Sequence, residues 1–240
     1  MRRVVVYPDA ATVAQATAAR LLTVLTDTLA VQPEAHVILT GGTVGIATLR
    51  EAAASPLAAA VDWTAVHVWW GDERFVPSGD RDRNEGQAQA ALLDAVPVPE
   101  ANIHRMGAST DFATNVDAAA AYDAEIARAG SPAWDVALFG MGPDGHVASL
   151  FPGHAVFEAQ AQASSNAEAV DDSPKPPPLR VTLTLPAINR AKQVWVVAAG
   201  AEKADAVAQA LHGDSTLPAS AVAGTDATLW LIDSAAAERA

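Results

Sequence analysis

Short β-branched and aromatic runs alternate along this sequence with longer stretches rich in alanine and leucine, and that alternation leaves few folds open. Residues 4–7 read as a first strand. Residues 12–30 read as a helix, with Ala18, Leu21, Leu22, Leu25 and Leu29 at i, i+3, i+4 spacing. Residues 37–39 form a buried strand ended by Gly41-Gly42, and 44–54 a helix with Pro56 just beyond it. The same reading gives strands at 66–70, 134–139, 181–185, 193–199 and 228–232, and helices at 84–95, 115–129 and 203–211. Strands that are continuously apolar and separated by helices imply an α/β fold with a parallel sheet covered on both faces. The segment 160–178 differs. It is rich in Ala, Ser and Asp and ends in Pro174-Lys175-Pro176-Pro177-Pro178, so it reads as an exposed, lid-like excursion. The strand pattern resumes at once after it, and residues 1–240 are expected to form a single α/β domain.

Composition removes several function classes. The chain has 15 basic and 28 acidic side chains, a formal net charge of −13 that disfavours non-specific nucleic-acid binding. Cysteine is absent, which excludes disulfides, thiolate nucleophiles and Cys-based zinc sites. Met1-Arg2-Arg3 is followed by only four apolar or aromatic residues before Pro8, too few for a signal sequence, and no run is long enough to span a bilayer. A cytoplasmic protein with no membrane partner is expected.

Ligands of open parallel sheets gather outside the carboxyl ends of the strands. Several segments there carry chemistry. Thr40-Gly41-Gly42-Thr43 joins a strand to a helix, and its glycines allow close backbone approach to a ligand. The helix N-terminus after it suits phosphate, although the sequence also fits a plain turn with Thr43 as a cap. Gly71-Asp72-Glu73-Arg74 sets two carboxylates and a guanidinium at the end of an apolar strand. Gly140-Met141-Gly142-Pro143-Asp144-Gly145-His146 is a pliable loop in which Asp144 and His146, two residues apart, can pair. Histidine is the side chain best suited to proton transfer near neutral pH. Arg180, at the entry to the strand after the proline run, and Lys203, where a strand passes to a helix, add two cations, and lysine is scarce, occurring only at 175, 192 and 203. His36 and His67 lie in strands and read as packing residues. His104 and His212 lie in a connector and near a helix end, and His154 is a minor candidate for a pocket rim. No His-x-x-x-His pair or carboxylate–histidine ligand set marks a metal site.

In combination these segments resemble the 6-phosphogluconolactonase family. The residues that carry the likeness are Thr40-Gly41-Gly42, Asp72-Glu73-Arg74 with Asn84, the block from Gly140 through Leu150-Phe151-Pro152-Gly153, and Arg180-Val181-Thr182-Leu183-Thr184. Glucosamine-6-phosphate deaminases share the phosphate loop and the Gly-x-Gly-x-Asp-Gly-His block. They typically continue into Phe-Asn-Glu-Pro and carry Asp-Glu-Tyr in place of Asp72-Glu73-Arg74. Both departures favour the lactonases over deaminase-like sugar-phosphate isomerases.

The resemblance implies a Rossmann-like three-layer α/β sandwich with a mostly parallel central sheet and a small lid-like region. It implies hydrolysis of 6-phospho-D-glucono-1,5-lactone without metal or organic cofactor. His146 is then the general base and Asp144 its partner. Thr40, Gly41, Gly42, Thr43, Arg74, Arg180 and Lys203 are expected to hold the phosphate, Asp72 to contact sugar hydroxyls or position the basic groups, and loop N–H groups around 140–145 to stabilise the oxyanion. A binding protein without turnover is the rival from another class, disfavoured because His146 and Asp144 are both present.

Overall fold

The structure is a computed structural model that describes residues 1–240. In chain order its elements are β1 (Arg2–Tyr7), α1 (Ala10–Leu29), β2 (Ala35–Leu39), α2 (Thr43–Ala54), β3 (Val66–Trp70), β4 (Asp72–Arg74), α3 (Asn84–Ala91), α4 (Asn115–Arg128) and β5 (Val136–Gly140). Then follow α5 (Ala155–Glu158), β6 (Ala167–Val170), β7 (Arg180–Leu183), α6 (Leu185–Ile188), β8 (Gln193–Ala198), α7 (Ala204–Leu211), α8 (Pro218–Ala221) and β9 (Ala227–Asp233). Six strands form the main sheet in the order β1-β9-β8-β5-β2-β3, and every neighbouring pair is parallel.

Successive side chains on a strand point to opposite faces, so apolar residues in unbroken runs must be buried on both. Val37, Leu39, Val136, Leu138, Trp195, Val197, Leu229 and Leu231 pack beneath α1, α2 and α3. Their neighbours Ile38, Ala137, Phe139, Val194, Val196, Trp230 and Ile232 pack against α4, α6 and α7. The result is the expected Rossmann-like three-layer sandwich. Trp230 is fully enclosed and its indole N–H has no partner, so its contribution is apolar packing. Trp230→Ala should cost about 3–5 kcal/mol and lower the thermal midpoint by roughly 6–20 °C, read by calorimetry.

Element ends follow local chemistry. α1 begins at Ala10, two residues earlier than the apolar pattern suggests, because the Asp9 carboxylate accepts the Thr12 amide at 2.8 Å and caps the helix. The stretch 84–95 is not one helix. It breaks at Leu92 (φ −139°) and resumes as a 3-10 turn over Leu93–Ala95. Trp134 precedes β5 rather than opening it, and packs in the core.

The larger correction concerns a second sheet. β4, β7 and β6 form a small antiparallel sheet in the order β4-β7-β6, with Asp72 opposite Thr182 and Arg74 opposite Arg180. The Asp72-Glu73-Arg74 triplet is therefore a strand. Residues 181–185 do not extend the main sheet, and the chain turns into α6 after Thr184, whose hydroxyl accepts the Ala187 amide. The excursion at 160–178 contains β6 and buries Gln160, Ala167, Val170 and Ser173. It is an ordered arm of this sheet, tied to α4 by the Asn115 amide on Val170 O at 3.1 Å.

Candidate active site

From β2 the chain steps outward to the neighbouring β3, and from β5 it steps the opposite way to β8. The carboxyl ends of the adjacent strands β2 and β5 thus flank a topological switch point, where open sheets place ligands. A cavity of about 310 Å³ opens there. Thr40, Gly41, Gly42, Thr43, Asp72, Arg74, His146, Arg180 and Lys203 all line it. Asp144 stands behind His146. Four cations, Arg74, Lys175, Arg180 and Lys203, line this cavity beside the carboxylates of Asp72 and Glu202, a local excess of positive charge in a chain of net charge −13 that suits an anion.

The loop after β5 is folded around its own glycines. The Gly142 N–H donates to His146 O and the Gly145 N–H to Gly142 O, each at 3.0 Å, and Gly145 takes φ +78°. That turn brings Asp144 Oδ1 to 2.5 Å from His146 Nδ1. A carboxylate can only accept, so this contact selects the tautomer with the proton on Nδ1, and in the neutral ring of that tautomer the lone pair is on Nε2. Burial opposes the ionised Asp144, but the hydrogen bond and charge of His146, with Lys175 beyond, outweigh it and hold the carboxyl well below the usual range. The Phe151 ring covers the imidazole, with centroids 4.7 Å apart.

The loop amides are largely spent. Gly140 N–H donates to Thr40 Oγ1 at 3.2 Å, and the other two glycine amides close the turn. The expectation that this loop supplies oxyanion donors therefore loses Gly140, Gly142 and Gly145. Thr40 serves first as a brace between the β2 and β5 loops.

At the other side of the cavity Gly42, with φ +79°, is the N-cap of α2, and Thr43 is the first helical residue rather than the cap. Gly41 has no room for a side chain: a Cβ there would lie 1.9 Å from Asn84 Oδ1. Asn84 in turn accepts from the Arg74 guanidinium and donates to Asp72 O at 2.8 Å. Lys203 is half-buried, and burial, more than any neighbouring charge, pushes its ammonium pKa down. Arg180 is buried and committed elsewhere than expected. Its Nη2 donates to the carbonyls of Lys175 (2.9 Å) and Pro176 (3.2 Å), and its Nε to Pro177 O (3.2 Å). Its Nη1 faces Asp72 Oδ2 at 3.8 Å. Asp72 also accepts from Ser149 Oγ at 2.6 Å.

Sequence reasoning missed four residues. Ser149 and Asn84 lie within the recognised motifs but carry no local sign that they fix Asp72 and Arg74. Glu73 is no solvated charge. It is 1% exposed and accepts the amides of Arg74, Asn84 and Glu85 at 2.7–2.9 Å, capping α3. Burial pushes its carboxyl up to about 7 against Arg83 and these amides. Lys175 reaches the Asp144–His146 pair, and its rarity was the one sequence signal for it.

The remaining histidines serve the fold. His154, a candidate for the rim, does not line the cavity. It caps α5 through Val156 N–H and bonds Asp171 O at 2.8 Å. His36 and His67 sit in β2 and β3 at the opposite end of the sheet, stacked with His104 and Trp69. With Glu34 they make a carboxylate–histidine cluster that the sequence did not suggest, with ligand atoms within 4.8 Å of one another. The rings of His36 and His67 are stacked at 20°, so one ion cannot lie in the plane of both, and Trp69 Nε1–H occupies His36 Nδ1 at 3.1 Å. Burial first, then His67, pushes the His36 pKa down to about 4, so the ring is neutral at pH 7. No helix is long and apolar enough to cross a membrane.

Comparison with known proteins converges on one family. The family model described as glucosamine-6-phosphate isomerases/6-phosphogluconolactonase matches residues 8–230. A 6-phosphogluconolactonase of Streptomyces coelicolor is 47% identical, covering 99% of this chain and 94% of its own length. One from Mycobacterium tuberculosis is 44% identical over 98% and 96%. Among solved structures, the 6-phosphogluconolactonase of Thermotoga maritima superposes with a TM-score of 0.84 at 26% identity, covering 97% of this chain and all of that one. A monomeric glucosamine-6-phosphate deaminase, 18% identical over 99% of this chain and all of that one with a TM-score of 0.82, shares the fold alone. The chain belongs to the glucosamine-6-phosphate isomerase/6-phosphogluconolactonase family.

Proposed function

We propose that this protein hydrolyses 6-phospho-D-glucono-1,5-lactone to 6-phosphogluconate, the lactonase step of the oxidative pentose phosphate pathway, as a cytoplasmic enzyme. The observation that carries this reading is the surroundings of His146: a carboxylate on Nδ1, no protein partner on Nε2, and the apolar ring of Phe151 against the imidazole. Deaminases carry a Glu in the segment after the His, where this chain has Leu150-Phe151-Pro152-Gly153. The relatives at 44–47% identity are named as lactonases. The alternative, a deaminase-like isomerase, would release ammonia from glucosamine 6-phosphate, and none is expected here.

In this mechanism His146 Nε2 takes a proton from water as the water attacks the lactone carbonyl. It then returns that proton to the ring oxygen as the C–O bond breaks. Asp144 holds the tautomer and stabilises the transient imidazolium. A lactone is an activated ester, so orientation and one proton shuttle suffice. Anchoring the remote phosphate supplies the orientation.

Lys203, Arg74 and the first-turn amides of α2 are the groups free to hold that phosphate. Arg180, with most of its donors on loop carbonyls, contributes at most Nη1. Lys203→Ala should therefore raise KM by about tenfold or more with little change in kcat, because an interaction made equally in the ground and transition states affects binding alone. A steady-state titration of lactone decides it, and a normal KM removes Lys203 from the phosphate site.

A further inference from the structure

We infer that Lys175 is a positioning residue of the catalytic pair: its ammonium engages Asp144 and keeps the His146 imidazole neutral, with the proton on Nδ1 and the lone pair on Nε2. This rests on the reading of His146 as general base. Lys175 Nζ lies 3.3 Å from Asp144 Oδ1 and 3.0 Å from His146 Nδ1. The shorter Asp144–His146 contact, 2.5 Å, claims the Nδ1 proton. An ammonium has donors only, so its favourable partner is the carboxylate, and towards the ring it is simply a neighbouring positive charge. Asp144 alone would favour the imidazolium. Lys175, a second charge of opposite sign beside the same nitrogen, acts against that preference.

Lys175 is not a loose surface lysine. Arg180 grips the carbonyls of residues 175, 176 and 177 in succession. Ser173 Oγ donates to Lys175 O at 3.0 Å and accepts Lys175 N–H at 3.3 Å. Prolines at 174, 176, 177 and 178 restrict the backbone on both sides. The Asp72–Arg180 pair thereby reaches the base through three carbonyls and one side chain. The other charges on this cavity are Lys203 with Glu202, and Arg74, Arg180 and Asp72. Of the charged groups, only Asp144 and Lys175 lie within hydrogen-bond distance of the imidazole.

The test compares wild type, Lys175→Gln and Lys175→Arg in two measurements. In the kcat/KM profile for lactone, the Gln variant should show its acid limb moved to higher pH by about half to one unit, the size expected of one half-exposed charge. KM should stay within about twofold, and the Arg variant should return towards wild type. NMR titration of the His146 ring, assigned by its loss in His146→Asn, should show the same upward movement without substrate. An unmoved ring titration in Lys175→Gln overturns the inference, as does a raised KM with an unchanged pH profile, which would make Lys175 a phosphate ligand. A moved ring titration in a protein that does not open the lactone would instead overturn the proposed function, so the two failures are separable.

Discussion

Replacing His146 with asparagine is expected to lower kcat for lactone opening by about 10²–10⁴-fold, the usual share of a positioned general base. KM should stay close to wild type, because the phosphate anchor proposed at Lys203, Arg74 and the α2 N-terminus is untouched. The rate must be measured above spontaneous opening, by following acid release at several enzyme concentrations. Asn keeps a polar group near Asp144, so loss of fold is not the expected cause, and an unchanged thermal midpoint would verify that. Asp144→Asn should be non-additive with it: once the base is gone, its orienting carboxylate has nothing to orient. Undiminished kcat in His146→Asn would remove the base from this site.

The second large effect is expected at a residue with no side chain. A Cβ on Gly142 would fall 2.0 Å from His146 Nδ1 and 2.3 Å from Asp144 Oδ1. No real Cβ tolerates such distances, so in Gly142→Ala the imidazole and carboxylate must part or swing away. Gly142 is not among the glycines with positive φ, so alanine is not excluded by its backbone. The damage should thus be confined to catalytic geometry, with kcat lowered by about 10²-fold or more, the scale of an ångström's misplacement. Thermal stability should stay within about 1 kcal/mol of wild type. A Gly142→Ala enzyme of normal kcat would mean that the 2.5 Å pair is not the working arrangement.

The three-layer fold was legible because its strands are apolar on both faces. Runs such as 136–139 and 194–197 can be covered only from both sides. The second sheet was hidden for the opposite reason. β4 is made of Asp72, Glu73 and Arg74, and β6 of Ala167, Glu168, Ala169 and Val170, neither of which has a β-rich composition. Their pairing through β7 joins segments about a hundred residues apart, which no local pattern records.

The site divides along the same line. Asp144 and His146 are two residues apart, so a turn was enough to foresee their pairing. Ser149 on Asp72 and Lys175 on Asp144 are contacts across 77 and 31 residues, and only the folded chain brings them together. Arg180 shows the limit of reading charge alone. Its position at the entry to a strand, beside other loops with ligand chemistry, suggested a phosphate ligand, but three carbonyls of the proline segment take most of its donors.

The most direct test of lactone hydrolysis at this site is turnover of freshly prepared 6-phospho-D-glucono-1,5-lactone by the purified protein, coupled to 6-phosphogluconate dehydrogenase, alongside an ammonia assay with glucosamine 6-phosphate. Expected are 6-phosphogluconate formation in proportion to enzyme, far above the spontaneous rate and lost in His146→Asn, and no ammonia. Lactone consumption no faster than in buffer, or ammonia release from the amino sugar, would contradict it.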